Sequence, residues 1–502
     1  MNSTSQLPRV LGYTTATAIV IGTVIGSGVF KKAQTVATSV PETGLALFAW
    51  VLVGVLALLG ALSLAEVAVI VGKAGGNYPI LRDAYGRWAG FLWGWVEFWI
   101  IRSASIAALA TIFSESLQDI IRQLHPRGPD IQVFNSWMSA AVTATVILVL
   151  AAVNARGTKL GGGLQVVVTT VKVLSLLGIA LLPFIVLGMT ASPEAKPQVA
   201  RMEPVWPADW SNVSLVAFGG ALVGVFWAYH GWMNIAPIAE EVKNPQRNIP
   251  LALLSGVLIL IVLYVSVNLA YYLIIPGPEI VAIENRSVAG EFSLRILGPI
   301  GLVVASTAIM ISVFGSLNGN LLVGPRLLYA MGLDGLAPKA LSRLHPRYAT
   351  PALAEAVLAG WSVLLVIVVA ILTSYRLPAI EFGSTIVDVN LPEGKKPFDV
   401  ITDFAMFGAI SFETLAVASI FVFRRRFPVS TVKLPYRCPL FPYLPAVYVV
   451  ALAAVLFNMF TSQRAEAITG VGFILVGAVI YVIVSRRQSP DRHSPPERVA
   501  SA

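Results

Sequence analysis

Apolar runs of about 20 residues, the length a helix needs to cross a bilayer, recur along this chain, and short segments carrying most of the charge separate them. The pattern predicts about twelve spanning helices, at roughly 11–38, 45–71, 88–118, 136–154, 164–189, 213–240, 250–275, 298–331, 351–373, 401–424, 444–461 and 467–485. No alternation of polar and apolar positions over about ten residues repeats, as the strands of a membrane barrel would require. The expected fold class is therefore an all-α polytopic membrane protein. Lys and Arg are unevenly shared between the two sets of loops, with Arg424-Arg425-Arg426 and Arg486-Arg487 on the richer side. Basic loops stay in the cytoplasm, so both termini are placed there: residues 1–10 as a short N-terminal segment and 486–502 as a disordered Pro/Arg/Ser-rich tail. The first apolar run reads as a retained helix, since no small-residue cleavage site follows it. The polar stretch 374–399 reads as an external loop insertion containing a short hairpin.

Composition narrows the function classes. Hydrophobic residues make up 56% of the 502 and charged residues 12%, against about 25% charged in ordinary soluble chains, too few to cover water-soluble domains. The mean hydropathy of +0.78 agrees. The net charge of +9 is spread between apolar runs and forms no basic stripe with interleaved aromatics, which excludes nucleic acid as a partner. A single cysteine, Cys438, rules out a disulfide framework, and the four histidines are scattered, so neither a metal site nor a cofactor is expected. The segment from Gly22 to Gly28 is neither a dinucleotide fingerprint nor a P-loop, and no strand precedes it. A lipid-modifying membrane enzyme would want His, Asp and Glu clustered at one membrane face; a channel would want repeated polar rings. The chain offers neither.

Two spans are interrupted. The first contains Gly22-Thr23-Val24-Ile25-Gly26-Ser27-Gly28-Val29-Phe30, and the sixth contains Trp227-Ala228-Tyr229-His230-Gly231-Trp232-Met233-Asn234 followed by Pro237 and Glu240-Glu241. Glycine-rich runs are weak helices. Close helix packing through small residues is one reading of them. The other is a mid-membrane break, tolerated only where backbone lines a cavity. Paired interruptions at equivalent positions of two halves point to a transporter's substrate site. There, free N–H groups at one half-helix end suit a carboxylate, and free C=O groups at another suit an ammonium. An α-amino acid carries both.

At these residues the chain resembles the amino acid–polyamine–organocation superfamily, and within it the bacterial relatives of the L-type amino acid transporters. Besides the two interrupted spans, the likeness rests on Gly75-Gly76-Asn77-Tyr78 with Ala84-Tyr85-Gly86, on Arg102-Ser103-Ala104-Ser105, on Glu240-Glu241-Val242-Lys243-Asn244-Pro245, on Gly324-Pro325-Arg326 and on Pro435-Tyr436-Arg437, in order along the chain. The resemblance implies an inverted five-plus-five repeat, 11–190 and 213–425, with broken helices 1 and 6, two further helices at 444–485, and alternating access to a central site. By position it implies that Val24, Gly26, Ser27 and Gly28 face the substrate carboxylate, and that Trp227, Ala228 and His230 face its amino group, Trp227 standing at the aromatic gate. His230 departs from the family pattern, where a small residue is common; it reads either as a pocket-narrowing or titrating group, or as a packing histidine.

Lys172 lies deep in the fifth span, where a charge costs at least about 2.5–3.5 kcal/mol. The resemblance makes it a tethered cation in the place that sodium takes in ion-coupled relatives; a proton-coupling lysine is the other reading. Glu66, Glu97 and Arg102 read as structural, with Glu97 and Arg102 at a spacing that an α-helix does not put on one face. The triplet Gly161-Gly162-Gly163 reads as a loop opening helix 5, and Asn285-Arg286-Ser287 as a chance glycosylation match. With no obvious carboxylate in the interrupted segments, neutral amino acids lead as substrate, ahead of polyamines or cationic amino acids. The segment from Ile120 to Asn135 has no cysteine, so no disulfide-linked heavy subunit is expected.

Overall fold

Straight-chain apolar residues lose little rotamer freedom in a helix, and inside lipid a helix satisfies its backbone without water. The apolar runs accordingly fold as helices in the computed structural model, which describes residues 9–71, 75–125, 133–187, 195–283, 286–376, 380–382, 385–387, 397–428, 434 and 436–486. Among these are eleven helices long and apolar enough to span a membrane, and a twelfth span when the pair Tyr13–Val24 and Gly28–Ser39, bent by 41°, is taken as one. Numbered as spans, helix 1 is that pair. Helix 2 is Thr43–Val71 and helix 3 is Arg87–Leu124. Helix 4 is Ser136–Ala155 and helix 5 is Thr158–Val186. Helix 6 is Leu215–Tyr229 continued by a 3-10 segment, Trp232–Glu241. Helix 7 is Pro245–Ile274, helix 8 is Pro299–Leu333 and helix 9 is Ala352–Ser374. Helix 10 is Pro397–Arg426, helix 11 is Tyr443–Ser462 and helix 12 is Arg464–Arg486.

Helices 3, 6 and 10 form the interior and helices 4, 9, 11 and 12 the rim: helix 3 buries 78% of its most apolar window, helix 12 only 17%. Phe457, Leu475, Val479 and Val482 on the rim are largely exposed. Such a surface would aggregate in water; against lipid tails it is the matched face. The second half of helix 1 packs on the first half of helix 6, and helix 1 also lies against helices 5, 7 and 8.

Two details depart from the sequence reading. The triple glycine lies inside helix 5, which already begins at Thr158. There Gly162 faces Leu11 and Thr15, so close that an added Cβ would stand 3.2 Å from the Leu11 side chain. Residues Glu97–Arg102 form a π-helical turn inside helix 3. Its wider pitch places residues five apart on one face, which brings Arg102 onto Glu97, with Nε donating to Oε1 at 2.8 Å. Trp93 lines an internal cavity, whereas Trp95 and Trp99 pack against Phe473 and Trp361.

Within 374–399 the short strands Ile380–Phe382 and Thr385–Val387 pair antiparallel, the hairpin expected there. The rest of that insertion's polar stretch, Asn285 and the tail from 487 lie outside the described residues. Glu66 is structural as expected: it accepts from Arg424 Nε at 2.8 Å and from the Cys438 backbone N–H at 2.7 Å, tying helix 2 to helix 10 and to the segment before helix 11.

Candidate substrate site

The site is built from what the two breaks leave unpaired. The first half of helix 1 ends at Val24 and the second starts at Gly28, so the last carbonyls of one and the first N–H groups of the other lose their intrahelical partners. The carbonyls are accounted for by side chains. Lys172 Nζ donates to Gly22 O at 2.7 Å, to Ile25 O at 2.6 Å and to Ser316 Oγ of helix 8 at 2.8 Å. An ammonium has three protons, and all three are used. Ser312 Oγ of helix 8 reaches Ile25 O at 3.1 Å. Tyr264 of helix 7 holds its hydroxyl 3.1 Å from both Val24 O and Ala228 O, one from each break. Lys172 is 1% exposed; its charge is met by carbonyl dipoles at a half-helix C-terminus.

Helix 6 breaks at His230-Gly231. Gly231 takes φ 109°, a left-handed conformation that side-chain-bearing residues rarely adopt, and Thr23 Oγ1 lies 3.1 Å from its carbonyl. The two breaks are in contact: a Cβ on Gly28 would stand 2.5 Å from Ala228 Cα.

Between them lies a cavity of about 30 Å³, room for roughly two waters, so the site as it stands is too small for an amino acid. Val24, Gly26, Ser27, Gly28, Trp227 and His230 all line it. The Ser27 hydroxyl is buried there without a hydrogen-bond partner. Ala228, assigned to the same wall from the sequence, does not line it: its carbonyl faces Tyr264 and its Cα sits against Gly28. Adjacent chain positions at a helix end point in different directions, and Ala228 points into the packing between the breaks.

Sequence reasoning passed over a second set of groups. Asn234 and Asn320 also line the cavity, and both are held by Arg102: Nη2 donates to Asn234 Oδ1 at 2.8 Å and Nη1 to Asn320 Oδ1 at 2.5 Å, while Nε takes Glu97. One rigid guanidinium thus joins helices 3, 6 and 8, a fork that an ammonium does not reproduce. Arg102→Lys is expected to lower transport about tenfold, the effect of losing one hydrogen bond to a charged group, measured by initial flux in proteoliposomes. Across Asn234 and His230 a second cavity of about 30 Å³ adjoins the first, lined by Glu97, Arg102, Trp93 and Glu413. His230 Nδ1 lies 2.9 Å from Glu413 Oε1. The expectation that no carboxylate stands near the site is therefore corrected: packing of helix 10 against helix 6 brings Glu413 there. A glutamate followed by Thr414 and preceded by Phe412 gave no sign of this in the sequence.

The Amino acid permease family profile matches residues 11–485. The chain belongs to that family. This permease is 28% identical to the serine/threonine exchanger SteT of Bacillus subtilis over 96% of its own length and 98% of the relative's. It is 28% identical to the human b(0,+)-type amino acid transporter 1, over 96% and 88% of the two chains. It is also 28% identical to the human cystine/glutamate transporter, over 94% and 83%. The family and the spanning helices make it a multi-pass membrane protein.

Proposed function

We propose that the permease carries α-amino acids across the membrane by alternating access to the cavity between the breaks of helices 1 and 6, and that it is a transporter with no enzymatic activity. The observation that carries this is the meeting of two opposite half-helix ends at one small cavity. The N-terminus of the second half of helix 1, with the unpaired Ser27 hydroxyl, offers donors to a carboxylate. The C-terminal end of the first half of helix 6, at Trp227 and His230, offers acceptors to an ammonium. The names of the relatives, exchangers and amino acid transporters, support the same reading. Neutral amino acids are among the substrates, moved by exchange, with Lys172 as a fixed cation bracing helix 1 against helix 8. Residues 11–190 and 213–425 are the two inverted repeats and 444–485 the added pair. Both termini are cytoplasmic and the 374–399 insertion is external. No disulfide-linked heavy subunit is needed.

The test is counterflow. Proteoliposomes preloaded with unlabelled L-serine are expected to accumulate labelled L-serine, and external neutral amino acids are expected to compete. With exchange drawing on no proton, an imposed pH gradient leaves the initial rate within about twofold, less than the tenfold that one pKa unit of coupling energy represents. No competition by any amino acid would reject the assignment.

A further inference from the structure

Resting on the amino acid site above, we infer that the cavity behind His230 is a side-chain subsite for an ammonium group: Glu413, shared with the His230 imidazole, receives the end of a cationic amino acid whose α-carboxylate and α-amino groups sit at the helix breaks. The two cavities share His230, Gly231 and Asn234 as a common wall, so a side chain that passes this wall from the first cavity reaches the second. Its space of about 30 Å³ admits a group the size of water or ammonium.

Charge accounting decides the class of ligand. Glu97 is matched by Arg102. Glu413, 7% exposed at its side chain, lies 2.9 Å from the imidazole, off the line of a straight hydrogen bond, and among the described residues no Lys or Arg pairs with it. Glu97 Oε2 is buried without a partner on the same wall. With a neutral imidazole the cavity therefore carries one unmatched negative charge and free acceptor oxygens. A buried carboxylate left so is costly, and a ligand ammonium relieves it. With a protonated imidazole the charge is matched internally and the cation is displaced, while a neutral side chain is indifferent to the change. Lys32 of helix 1 also meets helix 10, where its Nζ donates to Thr402 Oγ1 at 3.2 Å. The elements packed on helix 10 bring carboxylates and bases that already hold one another: Glu66 with Arg424, Arg82 with Asp83 and Asp334, Lys31 with Glu115, and Asp119 with Arg122. Tyr85 donates to Leu415 O, and Tyr448 of helix 11 is the phenol that faces Glu413.

The experiment compares L-lysine with L-norleucine, which has the same carbon chain and no ammonium, as competitors of labelled L-serine counterflow at pH 8 and pH 6. For the unmodified permease, lysine should compete at least about tenfold better than norleucine at pH 8, as a charge-assisted contact confers, and the preference should shrink several-fold at pH 6, as a proton on the imidazole displaces the cation. Glu413→Gln should erase the preference at both pH values. In His230→Gln the preference should persist and cease to depend on pH. Should Glu413→Gln fail to fold, the pH dependence of the unmodified permease and its loss in His230→Gln decide alone. Serine counterflow with no lysine preference at pH 8, or a preference untouched by Glu413→Gln, overturns the subsite and leaves the amino acid site standing. No counterflow by any amino acid removes the site on which the subsite rests, and the subsite with it.

Discussion

Lys172→Ala is expected to cut amino acid counterflow by roughly a hundredfold or more while the protein still inserts and elutes as a single folded species. The magnitude comes from the contacts. Lys172 makes charge-assisted bonds to two carbonyls of the helix 1 break and one bond to Ser316. Hydrogen bonds to charged groups contribute about 1.5–3 kcal/mol each, and two of them at the lower figure already exceed two factors of ten. The fold survives because the same carbonyls keep other donors: Ser316 Oγ reaches Gly22 O at 3.0 Å and Ile25 O at 2.7 Å. What is lost, on the proposed role, is the positive charge that braces helix 1 against helix 8. Lys172→Met, nearly isosteric and uncharged, should behave as the alanine variant does, which separates charge from volume. Flux at the unmodified level in either variant would remove the bracing role.

How much of this was legible in the sequence follows from which signals are local. A lysine flanked by Val171 and Val173 in an apolar run announces itself, because burial of charge has a cost wherever it occurs. The glycines of the two breaks announce themselves through backbone propensity. Ser312 and Ser316 do not, since serines are ordinary in membrane helices and only the facing geometry of helix 8 makes them donors to helix 1. Glu97 and Arg102 were misjudged because a 3.6-residue period was assumed; the π turn between them shifts the faces. Ala228 was carried to the cavity wall by its neighbours, yet its side is set by the contact with Gly28. Glu413 and Tyr264 depend on which helices of a twelve-span bundle touch, and no local pattern encodes that.

Gly28→Val is expected to abolish transport, and the reason lies in that contact. Even the first carbon added at Gly28 would stand 2.5 Å from Ala228 Cα, 2.6 Å from its Cβ and 3.2 Å from its backbone nitrogen. A backbone atom cannot rotate aside as a flexible side chain can, so the second half of helix 1 must move away from the end of helix 6. Overpacking a filled interior costs about 1–3 kcal/mol, and here the displacement falls on the two half-helix ends proposed to hold the substrate's opposite charges. Tyr264, whose hydroxyl spans the Val24 and Ala228 carbonyls, would lose one of its two acceptors. Gly28→Ala should show the same effect in smaller degree. Ala228→Gly added to Gly28→Ala should restore only part of the flux, because it removes the Cβ collision and leaves the Cα collision in place. Thermal unfolding of the detergent-solubilised protein, measured beside counterflow, distinguishes a displaced site from a failed fold: a melting temperature lowered by a few degrees with transport gone is the expected pair. Unimpaired exchange in Gly28→Val would mean that the breaks are not in register at the substrate, and the cavity between them would no longer be where the amino acid binds.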